Sequence, residues 1–395
     1  LYLAGSLNLT TSGNVTVIGN TTSVTGGVGI LNLAKIQNNN STLNISGTSA
    51  YSIGISIGSS NMTNNGSLVL TGQSTSAFGL SVNGGFLLSS SGSANISGVS
   101  SATSNTYGLQ MLGTNTYNTT GAGTINVTAS SGGSGTAIGL HMNGTQNFNA
   151  AGGDINLNAT ATGTGGAGLY LDTGSKLNTS GNVTFTTNAT GVTNGFAFVN
   201  SGNIQVNNGN LTIVDQGGAS SLGAYFSGNT INASGNLIVN SSTTTGKAVQ
   251  FANNNTINTS GSGTVTINAN SAIVNAGAIE LGGNATLNGA GGNITFNSNY
   301  SGSGGYGIYL STALNLNTSG NVSLNGNVTL SSVAYGIYDQ AKIIVSNGTL
   351  SLSGTTVGGG YGAVLSGSTL NSSGIVNING TSTAYSGLYT TGTNT

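Results

Sequence analysis

The chain has 395 residues, 4 of them basic and 5 acidic, for a formal net charge of −1. Charged residues make up 2% of it, against about 25% in ordinary globular domains, and Lys35, Lys176, Lys247 and Lys342 are scattered, which excludes a phosphate-tracking nucleic-acid surface. The absence of Cys excludes a disulfide scaffold, and no apolar run approaches the ~20 residues of a membrane helix.

The 69 glycines and the abundant Ser and Asn fit a flexible linker by composition. Periodicity argues against that reading. A unit of about 28 residues recurs roughly fourteen times, each copy holding three short apolar stretches that could be buried only by stacking on other copies.

The first stretch follows a small anchor, as at Gly29, Gly54, Gly79, Gly108, Gly139 and Gly168, with Ala248 and Ala278 filling the slot in two later copies. After it, apolar residues alternate with others, as in Leu140-His141-Met142, Leu169-Tyr170-Leu171 and Ile279-Glu280-Leu281; period two predicts a strand with one side inward. The second stretch ends in a turn of the form apolar, Asn, two small residues, Gly, as in Leu177-Asn178-Thr179-Ser180-Gly181, Ile257-Asn258-Thr259-Ser260-Gly261 and Leu316-Asn317-Thr318-Ser319-Gly320. Gly is expected to supply a φ > 0 corner, and stacked Asn side chains would form an amide ladder. The third stretch carries the inward pairs Val183/Phe185, Val265/Ile267, Ile294/Phe296 and Val322/Leu324, with Thr184, Thr266, Thr295 and Ser323 between them facing water. A polar loop of variable length then leads to the next anchor.

Three short strands per copy, with no helical period and no hairpin spacing, predict an all-β fold: a parallel β-helix (β-solenoid) of about 14 coils of ~25–31 residues. Right-handed crossovers are the default. Residues 1–395 are read as a single β-solenoid domain, a rod of roughly 65 Å at the ~4.8 Å coil spacing. The chain begins at Leu1 without Met or a signal-peptide pattern, so it is expected to be a segment of a longer secreted polypeptide.

Few residues carry chemistry. His141 is the only histidine and falls in an outward slot of a first strand, where a surface residue without a carboxylate neighbour is expected. The acids Asp154, Asp172, Asp215, Glu280 and Asp339 lie in different coils and slots, so the facing carboxylates of a polysaccharide-cleaving enzyme are not expected to assemble. Asp172 with Lys176 and Asp339 with Lys342 read as local loop pairs worth ~0–1 kcal/mol. No catalytic residue, cofactor or metal site is expected.

Phe78, Tyr107, Tyr306, Tyr335 and Tyr361 each precede an anchor glycine. They read first as an aromatic brace and second as a row of rings for stacking on glycans, interrupted at Ala167, Asn194, Leu222 and Gly277. About thirty Asn-X-Ser/Thr sequons occur, with Asn14, Asn126, Asn182, Asn293, Asn327 and Asn379 as candidate N-glycosylation sites. Thr-X-Thr rows such as Thr264-Val265-Thr266 raise ice binding. The mixed outward series Asn126, Asn156, Thr184, Thr295, Ser323 and Asn377 argues against the flat Thr array that function needs.

The strands Ser180-Gly181-Asn182-Val183-Thr184-Phe185 and Ser319-Gly320-Asn321-Val322-Ser323-Leu324 resemble the "SGNVTL"-like repeats of filamentous-haemagglutinin-type and autotransporter passengers of Gram-negative bacteria. The resemblance is one of repeat style and covers essentially the whole chain. It implies a secreted right-handed β-helical fibre, exported through an outer-membrane barrel, that serves adhesion, aggregation or biofilm at the bacterial surface. Expected partners are host or microbial surface glycans or proteins, copies of the chain itself, and the outer-membrane transporter during export. Nucleic acid and membrane insertion of this segment are not expected. A self-assembling extracellular filament or surface-layer subunit is the second reading, and a polysaccharide-active enzyme the third.

Overall fold

The computed structural model describes residues 1–22, 26–39, 41–133, 135–330 and 333–395, and of Leu177 and Asn178 the backbone alone. The inward and ladder slots read for the Leu177 and Asn178 side chains therefore lie outside the described residues. Every regular element among the described residues is a strand, and all pairing is parallel, in about fourteen coils of three strands each. The chain divides into two compact units, Leu1–Thr193 with Gly202–Gly209, and Asn194–Ser201 with Asn210–Thr395.

In each unit a strand pairs with its counterparts in the coils before and after, so matching slots of the repeat lie in register. In the first unit, Leu80 sits between Ile55 and Leu109 in the first-strand sheet, and Ile96 between Leu70 and Val127 in the third-strand sheet. In the second unit, Val265 lies between Leu237 and Ile294. Val183, Val265 and Val322 are all buried. The alternation seen in the sequence is thus the boundary between a dry interior and the surface. Phe226, Phe251 and Phe296 run through the interior of the second unit with centroids 5.0 and 6.4 Å apart.

The third strand is longer than its apolar residues suggest. It spans seven residues in coil after coil, as in Leu43–Ser49, Ala94–Ser100, Val183–Ala189 and Val265–Ser271. The start of the expected polar loop is therefore strand. Its third inward slot holds Gly47, Gly72, Gly98, Ala129 and Ala159 in the first unit before Thr187 takes it, and at the glycines the anchor-glycine backbone lies directly against it: a Cβ at Gly98 would overlap the carbonyl of Gly108. In many coils the fourth inward slot is a hydroxyl that ties the strand end to a carbonyl across the corner, although Ala161, Ala189, Gly217 and Val328 fill it in others. Ser49 donates to Gly27 at 2.7 Å, Ser100 to Ala77 at 2.6 Å and Ser271 to Gly246 at 2.6 Å. Such bonds satisfy backbone carbonyls that the corner would leave orphaned.

The turn after the second strand uses its glycine in two ways. Gly261 has φ +59, as expected, whereas Gly320 is not left-handed; a Cβ there would sit 2.6 Å from the carbonyl oxygen of Gly292 in the preceding coil. At Gly320 close approach of coils, rather than φ, demands glycine.

The expected amide ladder is present. Asn258 donates Nδ2 to Asn232 Oδ1, Asn288 to Asn258 and Asn317 to Asn288, at 2.6, 2.6 and 2.7 Å. A second ladder climbs the third strands, where Asn268 donates to Asn240, Asn297 to Asn268 and Asn325 to Asn297 at 2.8, 2.8 and 2.9 Å. In the first unit Asn126 donates to Asn95, and Asn156 to Asn126, both at 2.9 Å.

Candidate functional site

The outward surfaces of the three sheets differ in chemistry. Outward slots of the second and third strands carry chiefly amides and hydroxyls, with Lys35, Lys176 and Lys342 opening three second strands and aliphatics such as Val69, Val99 and Ile238 interspersed. The mixed column Asn126, Asn156, Thr184 in one unit and Thr295, Ser323, Ser351, Asn377 in the other is in register but is no flat Thr array. Clustered aromatic and ionisable side chains gather instead on the outer side of the first-strand sheet.

In the first unit this face centres on His141, which is 8% exposed. Its ring stacks on Tyr107 at 5.0 Å and meets the edge of Tyr170 at 5.5 Å, and Phe78 packs on Tyr107 at 4.9 Å. Asp172 Oδ2 lies 3.8 Å from His141 Nε2 and accepts a hydrogen bond from Asn143 Nδ2 at 3.2 Å. The exposed, carboxylate-free histidine expected from the sequence is thus replaced by a half-aromatic, half-polar nest. The Asp172 partner comes from the next coil, one slot beyond Tyr170, which is the register mate of His141. Burial lowers the His141 pKa and outweighs the opposing pull of Asp172, so the imidazole is neutral at pH 7 and the contact is polar rather than ionic.

In the second unit the face opens with Lys247, whose Nζ donates to Glu280 Oε1 at 2.7 Å; Gln250 Nε2 reaches the same oxygen at 3.3 Å. A tyrosine cluster follows. Tyr306 stacks on Tyr309 of its own coil at 4.8 Å and on Tyr335 of the next at 5.4 Å; Tyr335 stacks on Tyr361 at 5.9 Å, and Tyr361 on Tyr389 at 4.7 Å. Tyr338 meets Tyr306 edge-on at 5.3 Å. Gly277, the register mate of Tyr306, makes room for Tyr309, whose Cβ would lie 3.2 Å from an added Cβ there. The ring faces of Tyr306, Tyr335 and Tyr361 are therefore taken up by one another. That favours bracing over sugar stacking and leaves ring edges and hydroxyls facing water. Burial, reinforced by neighbouring phenols, raises the pKa of Tyr306 and Tyr335, so both are neutral at pH 7.

The pairs Asp172–Lys176 and Asp339–Lys342 do not form; among the described residues the acids meet basic side chains at Lys247–Glu280, an ion pair, and at the polar contact His141–Asp172. Asp339 is fully buried at the inward end of its first strand, whereas Lys342 opens the following second strand on the outside. Its Oδ1 accepts the Ala341 N–H at 2.9 Å, its Oδ2 has no partner, and burial raises its pKa to about 6. Asp215, 2% exposed, takes a 2.5 Å bond from Ser241 Oγ, and burial holds its pKa well above the usual carboxylate range. Neither buried acid was distinguishable in the sequence from a surface one. Among the described residues no group of three or more His, Asp or Glu side chains is gathered as a metal site.

The candidate glycosylation residues separate by what their carboxamides do. Both Nδ2 hydrogens of Asn126 are donated, to Asn95 Oδ1 and to Thr124 Oγ1. Asn327 donates to Asn299 at 3.3 Å. Asn14 and Asn293 use only Oδ1, accepting the backbone N–H of Thr42 and of Asn321. Asn182 and Asn379 are exposed. Compared with known proteins, the sequence matches no family model, and no curated protein is significantly similar to it.

Proposed function

We propose that the chain is a non-enzymatic, structural and adhesive β-solenoid segment of a secreted bacterial cell-surface protein, acting in adhesion, aggregation or biofilm. The observation that carries this reading is the asymmetry of the surface. Two sheets carry amide ladders along much of their outer side, while the first-strand sheet collects Phe78, Tyr107, His141 and Tyr170 in one unit and the Tyr306–Tyr389 cluster in the other. Aromatic edges, phenol hydroxyls and a few amides, without net charge, suit weak and repeated contacts with neutral glycans or with protein surfaces. The likeness of the "SGNVTL"-type strands to exported passengers supports the same assignment and an extracellular location.

Four of the 5 acids support a non-enzymatic role, and the fifth, Asp154, is exposed in a different coil. Asp215 and Asp339 are buried, and Asp172 and Glu280 are each engaged by neighbours. The test is a glycan array and a cell-binding assay with the purified segment. Binding is expected to fall when Tyr309 and Tyr338 are both changed to Ser, and to survive Asn268→Ser on the third-strand face. Adhesion indifferent to the first-strand face, or no adhesion to any surface, overturns the proposal.

A further inference from the structure

We infer that the tyrosine cluster of the second unit is a site of oxidative cross-linking, at which a peroxide-driven one-electron oxidant joins successive coils through dityrosine. The reaction needs two phenols held ring to ring, and the register supplies them. Tyr306 lies opposite Tyr335 in the first-strand sheet, with centroids 5.4 Å apart and planes 17° from parallel. Tyr361 and Tyr389 are 4.7 Å apart at 26°. In both pairs the fold holds the two rings face to face at stacking distance. The rings are partly exposed, so an oxidant has access.

Competition for the radical also favours tyrosine here. The chain has no Cys or Trp, and its methionines, Met62, Met111 and Met142, are buried in the first unit. Within the second unit tyrosine is therefore the most readily oxidised side chain. Not every tyrosine qualifies. Tyr225 packs on Phe196, and Tyr300 is buried with its hydroxyl donated to the Ile273 carbonyl at 2.5 Å.

The chemistry balances with hydrogen peroxide as the two-electron acceptor, delivered by a haem peroxidase. Each phenol gives up one electron and its O–H proton. The two electrons and two protons reduce one peroxide to two waters. The two phenoxyl radicals join at their ortho carbons in one new C–C bond, and each ring regains aromaticity as its ortho proton moves to the phenol oxygen. The product is a covalent staple between coils in a chain that has no cysteine for the purpose.

The experiment treats the folded chain with peroxidase and peroxide at low protein concentration, then reads dityrosine fluorescence and maps cross-linked peptides by mass spectrometry. Tyr306–Tyr335 and Tyr361–Tyr389 links are expected within single chains, with roughly tenfold or more intramolecular product than from the guanidinium-unfolded chain, because the fold supplies proximity. Tyr389→Phe keeps the ring and its packing and should abolish the Tyr361–Tyr389 link while sparing Tyr306–Tyr335, with the β signal in circular dichroism unchanged. Equal yields from folded and unfolded chain, coupling of Tyr225 or Tyr300 as readily as of the cluster, or links only between chains would overturn the inference.

Discussion

Asp339 shows how one residue can work against the fold it sits in. Its Oδ1 caps the Ala341 N–H at 2.9 Å, the bond that Asn32 makes to Ala34 at 3.0 Å in the first unit with a neutral amide. A carboxylate in that interior pays a desolvation penalty that an amide does not. Because the folded-state pKa is raised from 3.8 to about 6, the native state holds the proton more tightly than the unfolded chain. Stability from this group is full below pH ~4, declines between pH ~4 and ~6, and stays low above. Asp339→Asn is therefore expected to stabilise the second unit at pH 7 by up to about 3 kcal/mol and to leave stability at pH 3.5 unchanged. Denaturant titrations of both proteins at the two pH values check this, and a destabilised variant at pH 7 refutes it. Backbone crowding makes the opposite kind of residue. A Cβ on Gly108 would lie 2.5 Å from both the N and the O of Ser130, whereas one on Gly261, at φ +59, meets nothing within 4 Å. Gly261→Ala should cost about 1–2 kcal/mol through φ alone. Gly108→Ala should cost more than that by forcing two strands apart, which thermal unfolding of the pair would rank.

At the level of the strand, the amide ladders are the elements with most to lose from a single change. Asn268 donates to Asn240 and accepts from Asn297, both at 2.8 Å, so it is a link in a polarised chain. Asn268→Ala removes two bonds and should cost about 1–2 kcal/mol. Asn268→Asp, nearly the same shape, also sets a carboxylate oxygen against the Asn240 Oδ1; it should cost more at pH 7 than at pH 3, where the acid can donate. A pH-independent difference between the two variants would show that the ladder is not the source. The same geometry sorts the sequons. Attaching a sugar to Asn126 removes one of two hydrogens already donated, to Asn95 and Thr124. Asn14 and Asn293 are exposed and use only Oδ1. In a glycosylating host, glycopeptide mapping of folded protein is expected to find sugar at Asn14 or Asn293 and not at Asn126. Full occupancy of Asn126 in protein that retains its β structure would contradict this.

Over the whole molecule, what was legible in the sequence is what repeats with period two and ends in a large apolar residue. Val265 and Ile267 announced both their strand and its inward side. The same strand continues through Ala269 to Ser271, where the inward slots hold small or hydroxyl side chains because another strand's backbone fills the space, and hydropathy carries no trace of that. The polar contacts of the candidate face were hidden for a different reason. His141–Asp172 and Lys247–Glu280 join residues of different coils at unequal spacings, and the repeat length varies enough that no fixed offset reveals them. Stacking nonetheless sets how the chain meets a protease. Its 4 basic residues are all Lys. Lys35, Lys176 and Lys342 each open a second strand paired to a neighbouring coil, so their backbone cannot thread into a protease cleft without breaking the sheet. Lys247 precedes the strand Val249–Ala252; its carbonyl accepts the Gly223 N–H at 2.9 Å and its ammonium is held by Glu280. Trypsin should therefore cut the native chain slowly and first after Lys247, and the heat-unfolded chain at every Lys. Because coil-to-coil hydrogen bonds persist on both sides of the nick, the fragments should co-elute until denaturant is added. Glu280→Gln, which removes the negative partner of the ammonium in a partly buried pair worth about 1 kcal/mol, should speed that first cut by no more than about fivefold. Early cleavage at Lys35 or Lys342 would mean that the second-strand sheet opens more readily than the loop at Lys247, contrary to the pairing that defines the fold.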